Sequence, residues 1–292
     1  MFRIRRIYDD VLPVNRTALE QVKAIMRSRF PEVPQDEIDQ LGRHLHDPFL
    51  KRFRTTLSVA EDGRQRVLGF AFLLHEPTIR FCYLDWIATQ VGKASGGVGG
   101  ALYDRVRHEA SAFGAKALFF ECLPDDPALC PNEDLLADNR ARLRFYERYG
   151  ARPIIGTAYE APYKPGQSCL PYLIFDGLNR TARPGRDFLR TVVRTILERK
   201  YAGYVPADYI EKVIGSITVA VLKGRIHYYE GHEIAEVVFP VRWPDQDKTV
   251  WQRSYGGSES PNPLTSCAGS SVASTSASGA NVVTGRPSMR TR

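Results

Sequence analysis

The sequence predicts a mixed α+β domain, and three observations support this fold class. Three apolar segments with the length of β-strands follow one another at residues 55–60, 67–74 and 81–88. A glycine-rich turn at residues 95–100 then leads into a helical pattern, and a short apolar run at residues 117–120 indicates a further buried strand. Strands and helices mixed in this order are typical of an α+β layer architecture.

The N-terminal part is predicted to contain a strand at residues 2–8 and a helix at residues 17–30, where apolar residues recur at helical spacing. A second helix is predicted after Pro34, because two carboxylates would fall in its first turn, where negative charge is favourable. The turn at residues 61–63 separates the first two of the three strands as a hairpin loop would.

The elements after the glycine turn complete the predicted domain. Residues 98–113 show helical spacing, and Gly114 is placed to end that helix. A helix at residues 135–149 follows a polar loop, and strands at residues 157–161 and 169–175 would close the unit. The predicted order is therefore β-α-α-β-β-β-α-β-α-β.

The chain is predicted to divide into three regions, of which the α+β domain at residues 1–178 is the first. Residues 179–244 are predicted to form a small appended element, with helices and short strands at 187–201, 206–214, 217–222 and 235–241. Residues 245–292 are predicted to be a disordered tail, because Ser, Gly, Thr, Ala and Pro cannot offset the entropy of ordering the chain.

The charge balance favours an anionic partner. The 292-residue chain carries 40 Lys and Arg against 33 Asp and Glu, which gives a net charge of +7. The positive residues are dispersed, and the chain has no long basic run, zinc-finger pattern or RNP-like motif. A phosphate-rich cofactor therefore explains the charge better than a nucleic acid does.

The cysteines and the apolar segments predict a reduced, cytoplasmic protein. The cysteines are widely spaced, odd in number and never arranged as C-x-x-C. No stretch approaches the roughly 20 apolar residues of a membrane span, and the basic N-terminus lacks the apolar core of a signal peptide. The five cysteines are Cys82, Cys122, Cys130, Cys169 and Cys267.

The glycine turn is the strongest candidate for a phosphate site. Strand, glycine loop and helix follow one another over residues 84–103, so backbone N–H groups would converge at the positive end of a helix dipole. A Walker loop is excluded because no Gly-Lys-Ser/Thr ends the turn, and a Rossmann reading lacks its acidic residue. The turn could equally be a connection that binds no ligand.

Residues 83–103 resemble motif A of the GNAT acetyltransferase superfamily, in which a strand ends in an Arg/Gln-x-x-Gly-x-Gly/Ala loop before a helix. Gly97 and Gly99 take the two glycine positions of that motif. Ala94 stands where the family has Arg or Gln, so that a contact to the pyrophosphate is lost or is replaced by Lys93 or Gln90.

A second stretch, at residues 139–151, resembles motif B of the same family, with Phe-Tyr-Glu-Arg-Tyr-Gly-Ala near its end. The two matches are in the family's order, and the resemblance as a whole extends over about residues 2–178. The resemblance implies a mostly antiparallel central sheet flanked by helices, with acetyl-CoA as acyl donor. It implies an N-acetyltransferase whose acceptor is a primary amine on a small molecule, a peptide or a protein lysine.

The resemblance also implies the cofactor site. Backbone groups of the strand end would hold the pantetheine arm, the glycine turn would hold the pyrophosphate, and Asn139 would bind the cofactor, unless it merely caps its helix. The cofactor-binding residues implied in this way are Trp86, Ile87, Ala88, Thr89, Gly97, Val98, Gly99, Gly100, Asn139 and Tyr146.

Catalytic roles follow from the same correspondence. Asp85 is the first candidate for general base, and Glu121 is a second carboxylate candidate. Tyr146 would protonate the departing thiolate. The structural alternatives are a polar residue on an open strand face for Asp85, the exposed end of a strand for Glu121, and a core aromatic for Tyr146.

Two other hypotheses stay open beside the active enzyme. The domain could be a catalytically weak acyl-CoA sensor or scaffold, which the departure at Ala94 favours. It could also be part of a larger acetylation system, because the extension after Asp187 is similar to those of acetyltransferase–deacetylase fusions, although no deacetylase metal motif is present. The six histidines do not form a ligand set, so no metal is expected.

Overall fold

The computed structural model describes residues 1–31, 33–47, 49–50, 52–90, 97–160, 168–180, 182–218 and 221–222. The strands are β1 (Phe2–Ile7), β2 (Arg54–Asp62), β3 (Val67–Glu76), β4 (Phe81–Thr89), β5 (Ala117–Cys122), β6 (Arg152–Ile155), β7 (Tyr172–Asp176) and β8 (Val221–Leu222). The α-helices are α1 (Pro13–Arg29), α2 (Gln35–Asp39), α3 (Leu41–His46), α4 (Val98–Ala112), α5 (Glu133–Glu147), α6 (Arg186–Thr195) and α7 (Ala207–Ser216). A 3₁₀ turn covers Ala158–Glu160, and a π-helical turn, Ile196–Lys200, continues α6.

The described strands form one sheet in the order β1-β2-β3-β4-β5-β7-β6-β8. Neighbouring strands are antiparallel except for the central pair β4 and β5, which is parallel. The predicted α+β class, with a mixed and mostly antiparallel sheet flanked by helices, is therefore confirmed. The single parallel contact lies in the middle of the sheet, where the chain passes through α4 between the two strands.

Helices cover both faces of the sheet, and each face has its own hydrophobic core. Side chains alternate along β5, so that Ala117 and Phe119 enter one core while Leu118 and Phe120 enter the other. The first face is covered by α1, α2, α3, α6 and α7, and the second face by α4 and α5. Any group in the central strands is consequently shielded from water on both sides.

Most predicted elements are present with shifted ends, but the predicted strand at residues 157–161 is wrong. The strand lies earlier, at β6, and the 3₁₀ turn occupies the predicted position. Gly150 and Gly156, with φ of +85° and +74°, bend the chain on either side of β6. These left-handed glycines set the limits of the strand, whereas apolar composition had suggested the later segment.

The helices that follow residue 185 complete the first core rather than standing apart from it. Every apolar residue of their buried stripe is at most 8% exposed and packs with residues of α1 and the central strands. The stripe comprises Leu189, Val192, Val193, Ile196, Leu197, Tyr201, Tyr209, Ile210 and Val213. The division at residue 178 stays a prediction, and the predicted strand at 235–241 and the tail at 245–292 lie outside the described residues.

The expectation that all cysteines are reduced is wrong for one pair. Cys130 and Cys169 form a disulfide, which ties the loop before α5 to the segment before β7. The spacing of 39 residues hid this pairing from sequence inspection, since the partners meet only through the sheet topology. Cys82 and Cys122 are buried and are not part of this disulfide, as predicted for core residues, and Cys267 lies outside the described residues.

Replacing Leu197, which is fully buried in the first core, with Ala should lower the free energy of unfolding by about 2–5 kcal/mol. The reason is that the core is continuous from α1 to the π-helical turn. Chemical denaturation of the whole chain measures the loss. The exposed Lys212→Ala should change stability by less than about 0.5 kcal/mol. A Leu197→Ala loss no larger than that of the control would contradict the continuity of the core.

Candidate active site

The hydrogen-bonded ladder between the central strands β4 and β5 is short. Their register covers three pairs, Phe81 with Ala117, Cys82 with Leu118 and Tyr83 with Phe119. Beyond Tyr83, β4 continues to Thr89 with no ladder partner on its β5 side among the described strands. The backbone of β4 in this stretch therefore has N–H and C=O groups available to a ligand. We call this unpaired stretch between β4 and β5, beyond Tyr83, the slot.

A β-bulge in β4 lies at the start of the slot. Phe72 of β3 pairs with Trp86, whereas the next residue, Leu73, pairs with Leu84, so Asp85 is the extra residue. Bulges change the direction in which side chains point. Here the bulge places Asp85 and Trp86 on the first face together with Tyr83.

Asp85 is buried against a lysine from the C-terminal helices. The ammonium of Lys200 donates a hydrogen bond to Asp85 Oδ1, and the two residues are 8% and 1% exposed. Burial alone would lower the pKa of Lys200, but the Asp85 carboxylate outweighs it and raises that pKa above the usual value. Lys200 is thus an ammonium at neutral pH, and because Asp85 is buried, its interpretation as a residue on an open strand face is wrong.

Aromatic rings surround the same ammonium. Lys200 Nζ lies 5.4 Å from the ring centroid of Tyr83, 5.4 Å from that of Trp86 and 5.0 Å from that of Tyr201. These distances are within the range of cation–π attraction. We call Asp85 and the three rings the ammonium box.

A second buried carboxylate borders the ammonium box. Glu121 is fully buried in β5, where it accepts hydrogen bonds from the hydroxyl groups of Tyr159 and Tyr201, the latter at 2.6 Å. Its position inside the strand rules out the exposed strand end. The hydroxyl of Tyr83, buried beside it, has no hydrogen-bond partner among the described residues. Burial and then the Glu121 charge raise the pKa of Tyr83.

The start of α4 has the features of an anion site. Gly97 precedes the helix with φ of +85°, a conformation that favours glycine. Gly97 and Gly99 are half-buried, while Val98 and Gly100 are buried in the second face. Among the described residues no side chain caps the helix, and no acidic residue lies in its first turn, so its N–H groups suit an anion. Residues 91–96, which include Ala94 and Lys93, lie outside the described residues.

Positive charge lies where β4 ends. Arg29, the last residue of α1, donates from Nε to the backbone oxygen of Thr89 at 2.8 Å. Burial, and then the nearby charge of Arg142 in α5, lower the pKa of Arg29. Two guanidinium groups close enough to affect each other make the end of the strand favourable for a negatively charged ligand.

Asn139 and Tyr146 lie on α5 and face the second core. Asn139 donates from Nδ2 to the oxygen of Pro124 at 2.9 Å, and its buried Oδ1 has no partner among the described residues. The helix is capped by Asn132, so the interpretation of Asn139 as a cap is wrong. The ring centroid of Tyr146 lies 4.8 Å from that of Tyr103 and 4.5 Å from that of Phe120.

The structure thus separates the predicted residues between the two faces. Asp85 and Glu121 meet on the first face, whereas Tyr146 lies on the second, and the slot runs between them. The sequence interpretation did not include Lys200 or Tyr201. A signal was present, because Lys200 continues the helical spacing of the buried Leu189, Val193 and Ile196 and so falls on an apolar stripe.

The described part of the chain contains neither a membrane-spanning helix nor a cluster of metal-ligating side chains. No helix there is both long and apolar enough to span a bilayer. No group of three or more potential metal-ligating side chains comes together there.

Solved structures that align with the chain include acetyltransferases. An aminoglycoside 6'-N-acetyltransferase complexed with coenzyme A aligns at 15% identity over 62% of this chain and 99% of its own, with a TM-score of 0.46. The catalytic domain of a Tetrahymena histone acetyltransferase in complex with coenzyme A aligns at 12% identity over 62% and 96%, with a TM-score of 0.43.

A GNAT-family acetyltransferase from Staphylococcus aureus aligns at 12% identity over 61% of this chain and 100% of its own, with a TM-score of 0.41. No protein-family model and no curated protein sequence matches the chain. With such identities and TM-scores, function has to be inferred from the residues of this chain.

The coupling between Asp85 and Lys200 can be measured with a double-mutant cycle. Lys200→Met should destabilise the chain by about 3–5 kcal/mol, because it leaves a buried carboxylate without its counter-charge. Adding Asp85→Asn should restore part of this loss, with a coupling of about 0.5–3 kcal/mol in urea denaturation. The exposed pair Arg194 and Glu211 is the matched control, for which coupling should be much weaker. Additive losses at Asp85 and Lys200 would refute the interaction.

Proposed function

We propose that the chain is an acetyl-CoA-dependent N-acetyltransferase with a GNAT-like arrangement. The observation that carries the proposal is the slot between β4 and β5, which combines free strand backbone, a helix N-terminus and buried carboxylates. An elongated donor with a pyrophosphate and an amide-containing arm matches these three features in turn. The donor would run from the start of α4 along β4 towards Asp85.

Each residue then has a role that its position permits. Backbone groups of Trp86, Ile87, Ala88 and Thr89 would hold the pantetheine arm, and Gly97 to Gly100 would hold the pyrophosphate. The unpartnered Oδ1 of Asn139 would accept from an amide N–H of the donor.

Transfer requires a neutral amine on one side of the thioester and a proton for the thiolate on the other. Asp85 would accept the proton of the acceptor ammonium from the first face, with Glu121 as a second carboxylate beside it. Tyr146 would supply a proton to the sulfur from the second face. Asp85 and Tyr146 lie on opposite faces of the sheet. This placement suits a reaction in which a proton is removed from the amine on one face and a proton is given to the sulfur on the other.

Isothermal titration of the chain with acetyl-CoA tests the donor site. Gly99→Glu should weaken binding by about tenfold or more, because like charges placed together cost several kcal/mol. A glutamate in the first turn is favourable for the helix itself, so the fold should persist. Gly99→Gln adds the same bulk without charge and should bind better than the Glu variant. No heat of binding to the unchanged protein at about 1 mM acetyl-CoA would refute the proposal.

A second candidate function is a catalytically weak acyl-CoA sensor or scaffold in a larger acetylation or deacetylation system. The observation that favours it is Lys200, which already occupies the carboxylate that an acceptor amine would use. As an active enzyme the protein would work in the cytoplasm on a small amine, a peptide or a protein lysine. As a sensor it would bind acetyl-CoA without releasing CoA.

Tyr146→Phe distinguishes the two candidates. In an active enzyme the substitution should lower kcat by about 10²–10⁴-fold while donor affinity stays within about threefold, because only the proton donor is removed. Thiol release with a panel of primary amines measures the rate, and titration measures affinity. Intact acetyl-CoA binding with no thiol release from the unchanged protein across the panel would favour the sensor.

A further inference from the structure

We infer that the ammonium box is the acceptor site for an unbranched primary alkylamine and that Lys200 occupies it as an internal substitute. This inference deepens the proposed function and rests on it for the acceptor role. The box is formed by the Asp85 carboxylate and the rings of Tyr83, Trp86 and Tyr201. All four surrounding side chains are buried.

The chemistry of the box matches an alkylammonium group. Three ring centroids lie within 5.4 Å of Lys200 Nζ, and together with one carboxylate they attract a cation. The alkyl chain that carries such a cation is narrow and apolar, like the lysine side chain. An amine that also carries a negatively charged group would be repelled by Asp85 and Glu121, which lie on the same face. The buried hydroxyl of Tyr83 has no partner among the described residues, so one polar group there remains available to a ligand.

The location of the box argues for a role beyond stability. A buried ion pair is weak evidence for stability, because desolvation of the two charges offsets their attraction. This pair lies at the bulge in β4, where the contact with β5 ends and the slot begins. A ligand amine at the position of Lys200 Nζ would therefore stand beside the strand that holds the thioester.

The segment that carries Lys200 is also held in place by polar contacts that do not involve the lysine itself. Arg199, its neighbour in the π-helical turn, pairs with Glu76 at the end of β3, and Tyr209 of α7 donates to the backbone oxygen of Tyr159 at 2.8 Å. Because the turn is also part of the first core, displacement of the Lys200 side chain alone, with the turn in place, would open the box for an external amine. The acceptor would then be an alkylamine that replaces the lysine side chain.

The reaction in the box balances with the groups present. One proton of the acceptor ammonium passes to Asp85, and the neutral nitrogen forms a bond with the acyl carbon of acetyl-CoA while the carbon–sulfur bond breaks. The second proton leaves the nitrogen as the amide forms and balances the proton that Tyr146 would give to the departing sulfur, so the net release is the one proton taken up by Asp85. The products are an N-alkylacetamide and CoA, and no oxidant or reductant is needed.

The test is chemical rescue of the full chain with Lys200→Ala. Propylammonium has the atoms that this substitution removes, so it should bind the emptied box and raise the melting temperature by about 2–4 °C. Propan-1-ol, which lacks the charge, should not. Lys200→Met fills the space with an apolar chain and serves as the matched variant, for which propylammonium should have no effect.

Thiol release with acetyl-CoA then tests whether the box is the acceptor site. Lys200→Ala should acetylate propylamine about tenfold or more faster than Lys200→Met or the unchanged protein, since holding an amine beside the thioester is worth far more than that. Thermal rescue without acetylation, while acetyl-CoA is bound, would overturn the inference and leave Lys200 as a structural residue. Failure of all variants to bind acetyl-CoA would instead overturn the proposed function.

If the Lys200→Ala variant does not fold, propylammonium and propan-1-ol still test the inference through the yield of refolding. Refolding in propylammonium should then raise the yield of folded protein about tenfold over refolding in propan-1-ol, because the amine restores the counter-charge of Asp85. Equal yields with the two additives would overturn the inference, as would equal melting temperatures in a folded variant.

Discussion

The short parallel contact between β4 and β5 is the constraint on which the rest of the site depends. Three residue pairs hold the strands together, and the bulge at Asp85 follows directly. On its other side β5 bonds to β7 through five pairs, so it continues in the sheet after its ladder with β4 has ended. Beyond Tyr83, β4 keeps its ladder with β3 but has no partner on its β5 side among the described strands, and an unpaired polar group inside a sheet covered on both faces is costly. An elongated polar ligand is the natural means of satisfying it.

Both faces of the sheet contribute different chemistry to the slot. The first face brings acidic and phenolic groups, with Asp85 and Glu121 buried among tyrosines. The second face brings the start of α4 and the ring of Tyr146. The C-terminal helices are part of this arrangement, because Lys200 and Tyr201 reach the carboxylates through the first core. A segment predicted as an appendage thus supplies two side chains that bond to the buried carboxylates.

Local patterns were sufficient to predict most of the fold. The three central strands and α4 have strong apolar patterns and clear turn residues, so they could be placed within a few residues. The strand at β6 could not, because two left-handed glycines rather than composition set its limits. At the site, family resemblance pointed to Asp85 and Glu121, but the bulge and the contact with Lys200 join residues that are 115 positions apart. The disulfide between Cys130 and Cys169 was missed for the same reason, since tertiary proximity has no local signature.

In the proposed function, a CoA thioester lies in the slot between Asp85 and Tyr146. A crystal structure of the full chain with acetyl-CoA would locate this thioester. We expect the pantetheine arm along β4 beyond Tyr83, the pyrophosphate at Gly97 to Gly100, and the sulfur between the two faces. Acetyl-CoA bound elsewhere on the chain, with β4 and β5 still separated and the slot empty, would contradict this expectation.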